Sequence, residues 1–234
     1  MTNEFSTDDT SEISNVNKLS LYAAMERNTL NDKQFASEGT YRLHGIRVGY
    51  GSEAYFPGST AMEEQNRKLD YFWFSATYEN RGYVPLRNAF NLGYYIKLNA
   101  SFKPLLSTYF STLIEAPVFQ PNIITKSLFM EHYRANQFVA FGLMPVYNFS
   151  KQFFVKGEAY AFFPVQEILR DANNEAYLSP FFNTTKTLFN ASLNFVSVAG
   201  PVSFHVGYIS EEDKPWVVQL SFGYLLFNKR SVDE

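Results

Sequence analysis

The chain has no cysteine and no long apolar run among its 234 residues. Without cysteine it can form neither a disulfide framework nor a thiolate metal site, which is compatible with passage through an oxidising periplasm. No segment approaches the roughly 18 uninterrupted apolar residues that a transmembrane helix needs, so strands would have to make any membrane crossing. There is no excess of basic charge either: the formal charge is −3 and no single segment holds a Lys/Arg cluster. Nucleic acid is therefore not an expected partner.

The usual signs of an enzyme are missing as well. No Gly-x-Ser sequence occurs in the chain, which excludes the Gly-x-Ser-x-Gly turn that exposes a nucleophilic serine in many acyl hydrolases. No serine and histidine stand at a suitable spacing for a nucleophile and its base. His44, His132 and His205 lie far apart, with no carboxylate at ligand spacing. We expect a chain that is not an enzyme by itself, with no cofactor and no catalytic, cofactor-binding or metal-ligating residue.

Aromatic residues, in contrast, are abundant. Phe and Tyr number 24 and 16, and the aromatic share of 18% is about twice that of an ordinary globular protein. Aromatic girdles at two membrane interfaces would account for it. Several segments of roughly ten residues alternate large apolar side chains with small or polar ones, as the stretch from Trp216 to Phe227 does. The repetition predicts an outer-membrane β-barrel.

We predict about nine antiparallel strands of membrane-spanning length. The predicted strands are Lys18–Arg27, Thr40–Tyr55, Lys68–Tyr83, Ala89–Lys103, Gln137–Phe149, Gln152–Pro164, Thr184–Val198, Pro201–Ser210 and Trp216–Phe227. Because successive side chains leave opposite faces of a strand, most segments have one apolar and one polar face. In the fourth, Leu92 and Ile96 point away from Asn91 and Asn99. The stretch Leu69–Tyr78 is aromatic on both faces, so its orientation stays open.

The connections between these strands differ in length in a regular way. Residues 56–67, 104–136 and 165–183 are long, whereas 148–151 and 198–201 are tight turns. Outer-membrane barrels carry tight turns at one end and long loops at the other. The predicted fold class is therefore all-β, an antiparallel transmembrane β-barrel segment.

The N-terminal residues 1–17 are predicted to be a disordered polar segment ahead of a barrel domain at 18–230. They contain no basic region, apolar core or small-residue cleavage site of an export signal. An outer-membrane protein cannot be exported without such a signal. Either the barrel interpretation is wrong, or the chain is the C-terminal piece of a longer protein.

Particular segments resemble known barrels. Glu26–Thr40 is similar to a hairpin of the BamA/TamA-like (bacterial surface antigen) barrels. Others resemble the related C-terminal outer-membrane barrel of the patatin-like phospholipase family: Ile114–Pro121, Glu158–Tyr160, Gln166–Asn174, Gly200–Ser203 and Phe222–Arg230. The resemblance spans nearly the whole chain. It implies a barrel of about sixteen strands, of which this chain holds the last nine or so, preceded by a signal peptide, a patatin hydrolase domain and a periplasmic linker.

The resemblance also implies that the long loop 104–136 folds into the barrel lumen. The family places an Arg of this loop against an acidic residue on an inward-facing strand, and by position Arg134 and Glu158 are the structural loop-anchor candidates. A bidentate contact between Arg and a carboxylate suits an anchor because it gives geometry as well as energy. The two residues after Arg134 differ from the Gly-Phe of the family motif. Arg81-Gly82-Tyr83 matches that motif better in letters, but we predict a turn there.

Together these inferences predict a protein of the bacterial outer membrane that anchors an upstream lipid acyl hydrolase domain, with translocation of that domain as a further hypothesis. The expected partners are outer-membrane lipid or lipopolysaccharide, the missing barrel strands and the patatin domain. Two alternatives stay open. A complete small outer-membrane barrel, acting as a channel or an adhesin, predicts an even strand count. A soluble all-β binding protein predicts alternating faces that pack on each other.

Overall fold

The structure is a computed structural model that describes residues 10–32, 35–59, 65–150, 152–197 and 200–223. Its main element is a nine-stranded antiparallel sheet. In sheet order the strands are β1 (Ile13–Asn28), β2 (Gly39–Phe56), β3 (Arg67–Arg87), β4 (Phe90–Ser101), β5 (Gln137–Asn148), β6 (Phe153–Pro164), β9 (Lys186–Ser197), β10 (Gly200–Ile209) and β11 (Trp216–Phe222). The all-β class and the nine antiparallel strands predicted from the sequence are confirmed.

Smaller elements occupy two of the connections. Between β4 and β5 lie two short helices, α1 (Tyr109–Glu115) and α2 (Ile123–Lys126), and a 3-10 turn at Glu131–Tyr133. Between β6 and β9 lies a separate two-stranded hairpin, formed by β7 (Ile168–Arg170) and β8 (Ala176–Leu178). Within the described ranges, no helix has the length and apolar character needed to cross a membrane.

The first strand begins earlier than predicted. β1 starts at Ile13, so residues 13–17 are part of the sheet and not of a disordered segment. They are held there because they pair in register with residues 52–56 of β2, which supply partners for their backbone N–H and C=O groups. The beginning of the predicted polar segment, 1–9, and the end of the last predicted strand, 224–227, lie outside the described residues.

The third strand ends later than predicted. β3 continues to Arg87, so Arg81-Gly82-Tyr83 lies inside a strand and the prediction of a turn there is wrong. The central residue of this triplet pairs with Thr40 of β2 on one side and with Tyr94 of β4 on the other. Two paired neighbours give the backbone of the triplet its hydrogen-bond partners, which the local sequence alone does not reveal.

The two faces of the sheet differ in composition, and the apolar one is exposed. Large apolar side chains stand out from it on every strand of the sheet, among them Leu21, Val48, Phe72, Leu98, Phe141, Phe163, Leu193, Phe204 and Leu220. The opposite face, called here the buried face, holds polar and charged side chains, among them Glu53, Asn91, Asn99, Lys156, Glu158, Asn190, Asn194 and His205. Leu220 is 73% exposed, whereas Asn194 is 1% exposed. Burial in water-soluble proteins usually runs in the other direction.

Glycines of β2 orient the aromatic stretch of β3, which the sequence leaves open. Trp73 and Tyr71 lie on the buried face opposite Gly49 and Gly51. A Cβ atom at Gly49 would lie 2.7 Å from the Trp73 ring, and one at Gly51 would lie 2.4 Å from the Tyr71 ring. Only glycine leaves room for the two rings, so Phe72 between them points outward.

The connections distinguish the two ends of the sheet. One end, called here the loop end, carries residues 57–66, 102–136, 165–185 and 210–215. The other end carries residues 29–38, 88–89, 149–152 and 198–199. Apart from the connection between β1 and β2, the connections at the second end are no more than four residues long. The predicted alternation of long and short connections is confirmed for the rest of the sheet.

The longest connection packs onto the buried face and forms the main core with it. Phe119, Met130 and Tyr133 of this connection are fully buried, in one apolar cluster with Phe138 and Phe162 of the sheet. The rings of Phe119 and Phe162 are stacked, with centroids 5.4 Å apart. Because large aromatic side chains bury roughly 150–250 Å² each, this layer holds the connection firmly against the sheet.

Candidate functional site

A chain of buried polar side chains crosses the buried face from β6 to β9. Lys156 Nζ lies 2.8 Å from Glu158 Oε1, and both side chains are buried. Asn190, directly across from Glu158 on β9, donates from Nδ2 to this carboxylate at 2.7 Å, and the Tyr160 hydroxyl donates to it at 3.2 Å. A buried ion pair is tolerated when hydrogen bonds satisfy its remaining polar atoms. Three donors surround this single carboxylate.

Ser203 and His205 extend this network onto β10. Ser203 Oγ lies 2.9 Å from His205 Nε2, because residues two apart on a strand share a face. His205 Nδ1 lies 3.5 Å from Nδ2 of Asn190, whose amide group donates to Glu158. Nδ1 therefore faces a donor, and this contact favours the tautomer with its proton on Nε2, toward Ser203. In that tautomer Nε2 has no lone pair with which to take the serine proton.

A buried carboxylate ties the start of α1 to the sheet. Glu53 of β2 is 1% exposed and accepts hydrogen bonds from the backbone N–H and the hydroxyl of Ser107, each at 2.9 Å. Ser14 of β1 donates to the same carboxylate. Thr108 and Ser111 then form a capping box, which satisfies N–H groups that the first helical turn leaves unpaired. Glu53 thereby joins β1, β2 and the long loop.

A second carboxylate ties the end of α1 to the sheet. Glu115 Oε1 lies 3.1 Å from Lys18 Nζ of β1, and its Oε2 lies 3.1 Å from Lys103 Nζ just after β4. Burial by itself would raise the pKa of the Glu115 carboxyl, but the two ammonium groups outweigh burial and hold that pKa below its ordinary value. Burial lowers the pKa of the Lys103 ammonium group, although the nearby Glu115 carboxylate acts to raise it.

Tyr133 fixes the far end of the loop. Its ring is fully buried, and its hydroxyl donates to the backbone carbonyl of Thr187 on β9 at 2.8 Å and lies 3.0 Å from Ser210 Oγ beyond β10. Lys186 donates from Nζ to the backbone carbonyl of His132 at 2.7 Å. Burial raises the pKa of the Tyr133 hydroxyl above its ordinary value, so it stays protonated as a donor. The sequence did not single out this tyrosine as an anchor, although it stands next to the predicted Arg134.

Arg134 and Glu158, the loop-anchor candidates, do not contact each other. Glu158 is paired with Lys156, which lies two residues before it on the same face. Arg134 donates instead from Nη1 to three carbonyl oxygens near the C-terminal end of α1, between Leu113 and Ala116, at 3.2 to 3.3 Å. The last carbonyl groups of a helix lack partners within the helix, so a nearby guanidinium group is drawn to them. The predicted pair is wrong, and the role of either residue as an anchor stays a prediction.

In the part of the chain that the structure describes, no group of three His, Asp or Glu side chains is placed to hold a metal ion. No family model and no curated protein matches the chain. What the protein does is therefore argued from its own residues.

Proposed function

We propose that the chain is a membrane-embedded β-barrel segment, the C-terminal part of a patatin-like phospholipase barrel in the bacterial outer membrane. The observation that carries this proposal is the inverted distribution of side chains, with large apolar groups on the exposed face and charged groups on the buried face. Apolar surface exposed to water costs roughly 25 cal/mol per Å², so an apolar face extending over the whole sheet needs a cover. Strands that alternate apolar-out and polar-in are typical of barrels in lipid.

The lengths of the strands support this proposal. β4, β5, β6 and β9 are each 12 residues long. A membrane-spanning β-strand needs about 9–11 residues, so each of these strands can cross the hydrocarbon layer with little to spare. The longer strands β1 to β3 then extend beyond it at the loop end or the opposite end.

The edges of the sheet support a larger barrel. β1 and β11 lie at the two edges, and neither has a second neighbouring strand among the described residues. Unpaired backbone groups in lipid cost several kcal/mol each, so edge strands need partners. Bacterial single-chain barrels also have an even number of strands, and this sheet has nine. Both points favour a barrel of about sixteen strands, completed by strands upstream of this chain, over a complete small barrel.

In this proposal the chain is not an enzyme by itself, and lipid acyl hydrolysis belongs to the absent patatin domain. Outer-membrane lipid or lipopolysaccharide contacts the exposed face. Translocation of the hydrolase domain through the barrel is a further hypothesis. It would be undermined if the full-length protein kept its hydrolase domain on the periplasmic side, which protease accessibility on intact cells measures.

A pair of leucine substitutions tests the membrane assignment. Leu193 of β9 is 43% exposed on the apolar face, and Leu178 of the β7–β8 hairpin is 39% exposed outside that face. Leu193→Arg should lower the free energy of unfolding by about 2–4 kcal/mol if the side chain faces the middle of a bilayer. Leu178→Arg, the matched control, should change it by no more than about 0.5 kcal/mol.

The measurement is urea unfolding in liposomes, with the chain extended upstream by the strands that complete the barrel. Equal effects of the two arginines would contradict the proposal, and so would a monomer that folds in buffer without detergent. If the chain folds alone in detergent with a closed, heat-modifiable state, the small complete barrel takes the place of the patatin-type barrel.

A further inference from the structure

A cleft of about 410 Å³ lies between the buried face of β1–β4 and the loop that follows α1. Its lining contains six cationic side chains, those of Lys18, Arg47, Lys97, Lys103, Lys126 and Arg134. Only two carboxylates, those of Glu79 and Glu115, line it as well. The whole chain carries a formal charge of −3, whereas this lining holds four more cationic side chains than carboxylates. We call it the basic cleft.

Three donor atoms buried in the lining have no hydrogen-bond acceptor among the described residues. They are Trp73 Nε1, Ser101 Oγ and Arg134 Nε. Trp73 is 6% exposed and Ser101 is 1% exposed, so neither side chain is open to bulk solvent. Indole and guanidinium groups can donate but cannot accept hydrogen bonds. Buried donors without acceptors are rare in folded proteins, and a ligand that brings acceptors would satisfy them.

Both carboxylates of the lining pair with its lysines. Glu115 pairs with Lys18 and Lys103, and Glu79 Oε2 lies 3.9 Å from Lys97 Nζ. A cleft that is lined mainly by charges of one sign and has low-dielectric walls attracts ions of the opposite sign.

We propose that the basic cleft binds a phosphate-bearing anion. A phosphate group offers acceptors, carries charge opposite to the excess in the lining, and bonds readily to both Lys and Arg side chains. The volume exceeds that of a single phosphate ion and lies within the range of small-molecule sites, so the ligand carries a further group. The phosphate arrives either on a water-soluble molecule or as the headgroup of a lipid that enters from the end of the sheet.

Trp73 provides a direct signal for occupancy. The chain has two tryptophans, so Trp216→Phe leaves Trp73 as the only one. This variant is extended upstream by the strands that complete the barrel, any tryptophan in that extension is replaced by phenylalanine, and the protein is folded in zwitterionic detergent. It is titrated separately with pyrophosphate and with dihexanoyl phosphatidic acid at constant ionic strength. Dihexanoyl phosphatidylcholine serves as the lipid control. The expected result is a saturable change in Trp73 fluorescence with at least one of the two phosphate ligands, and none with the control.

Substitutions that change one charge test whether the cleft causes this signal. Lys97→Gln should weaken binding by about tenfold, the usual effect of losing one charge-assisted contact. Glu79→Gln should strengthen binding because it removes an opposing carboxylate. Lys68→Gln is the matched control. Lys68 also lies on the sheet, but it does not line the cleft, and its side chain is 71% exposed. Opposite effects of the first two variants cannot both arise from poor folding.

The ligand that binds also identifies its source. Saturation by pyrophosphate assigns the cleft to a soluble phosphate compound, and saturation by phosphatidic acid alone assigns it to a lipid headgroup. The proposal is overturned if neither ligand gives a saturable change, if phosphatidylcholine gives the same change, or if Lys97→Gln and Lys68→Gln affect binding equally.

Discussion

Removing the charge of Glu158 tests how well the buried face is shielded from water. Glu158→Gln keeps an acceptor for Asn190 and Tyr160 but removes the counter-charge of the Lys156 ammonium group. Lys156 itself is only 8% exposed. Breaking a buried pair in this way should lower the free energy of unfolding by about 3–5 kcal/mol. Lys156→Met should cost a similar amount, because it isolates the carboxylate. The double variant removes both charges, so its cost should fall short of the sum by about 2 kcal/mol or more.

An exposed pair of the same spacing supplies the control. Lys68 and Asp70 also lie two residues apart on one strand, with Nζ 3.3 Å from Oδ2, but their side chains are 71% and 44% exposed. Their coupling energy should not exceed about 1 kcal/mol. Both double-mutant cycles are measured by urea unfolding in detergent micelles, with the chain extended upstream by the strands that complete the barrel. A coupling energy below about 1 kcal/mol for Lys156 and Glu158 would show that water screens this pair, and would refute the reasoning about the buried face.

Two predictions concern the long loop. Tyr133→Phe keeps the buried ring but removes the hydroxyl that bonds to Thr187. It should lower the free energy of unfolding by about 1 kcal/mol and speed proteolysis within residues 104–136. An unchanged cleavage rate would contradict the anchor role. The pKa of the Glu115 carboxyl is lower in the folded than in the unfolded chain. The ionised carboxyl therefore stabilises the fold at pH values above its ordinary pKa of about 4.3. This contribution is lost as the pH falls through the lowered pKa. The difference in unfolding free energy between the parent and Glu115→Gln should therefore shrink below about pH 4, and a constant difference would argue against the ion pairs with Lys18 and Lys103.

Strand number and face polarity followed from the sequence, because a period of two residues is a local property. Leu98 and Asn99 could be assigned to opposite faces from their neighbours alone, and the structure agrees. The stretch with Tyr71 and Trp73 could not be oriented in this way. Its orientation depends on Gly49 across the strand pair, and that contact is set by the register between two distant segments.

The partners of individual side chains were harder to predict. Arg134 was expected to reach a carboxylate on the sheet, but unpaired carbonyl oxygens at the end of α1 lie closer. That helix was not predicted within the loop, so its free carbonyl groups could not be counted. The contact between Ser203 and His205 was overlooked although both belong to one predicted strand. Spacing of two residues along a strand is a sufficient signal for such a contact.

The exposed apolar face has a consequence for what stability means in this protein. An ordinary chain of this length removes most of its large apolar side chains from solvent when it folds, whereas here Leu19, Phe72 and Leu220 remain more than 70% exposed in the folded sheet. Hydrogen bonds between strands and the aromatic layer beneath the long loop can therefore supply only part of the driving force. In the proposed barrel, the remainder depends on the lipid that covers the outer surface. If that proposal holds, a free energy of folding can be assigned only to the chain and the bilayer together, and its value changes with the thickness and chemistry of the bilayer.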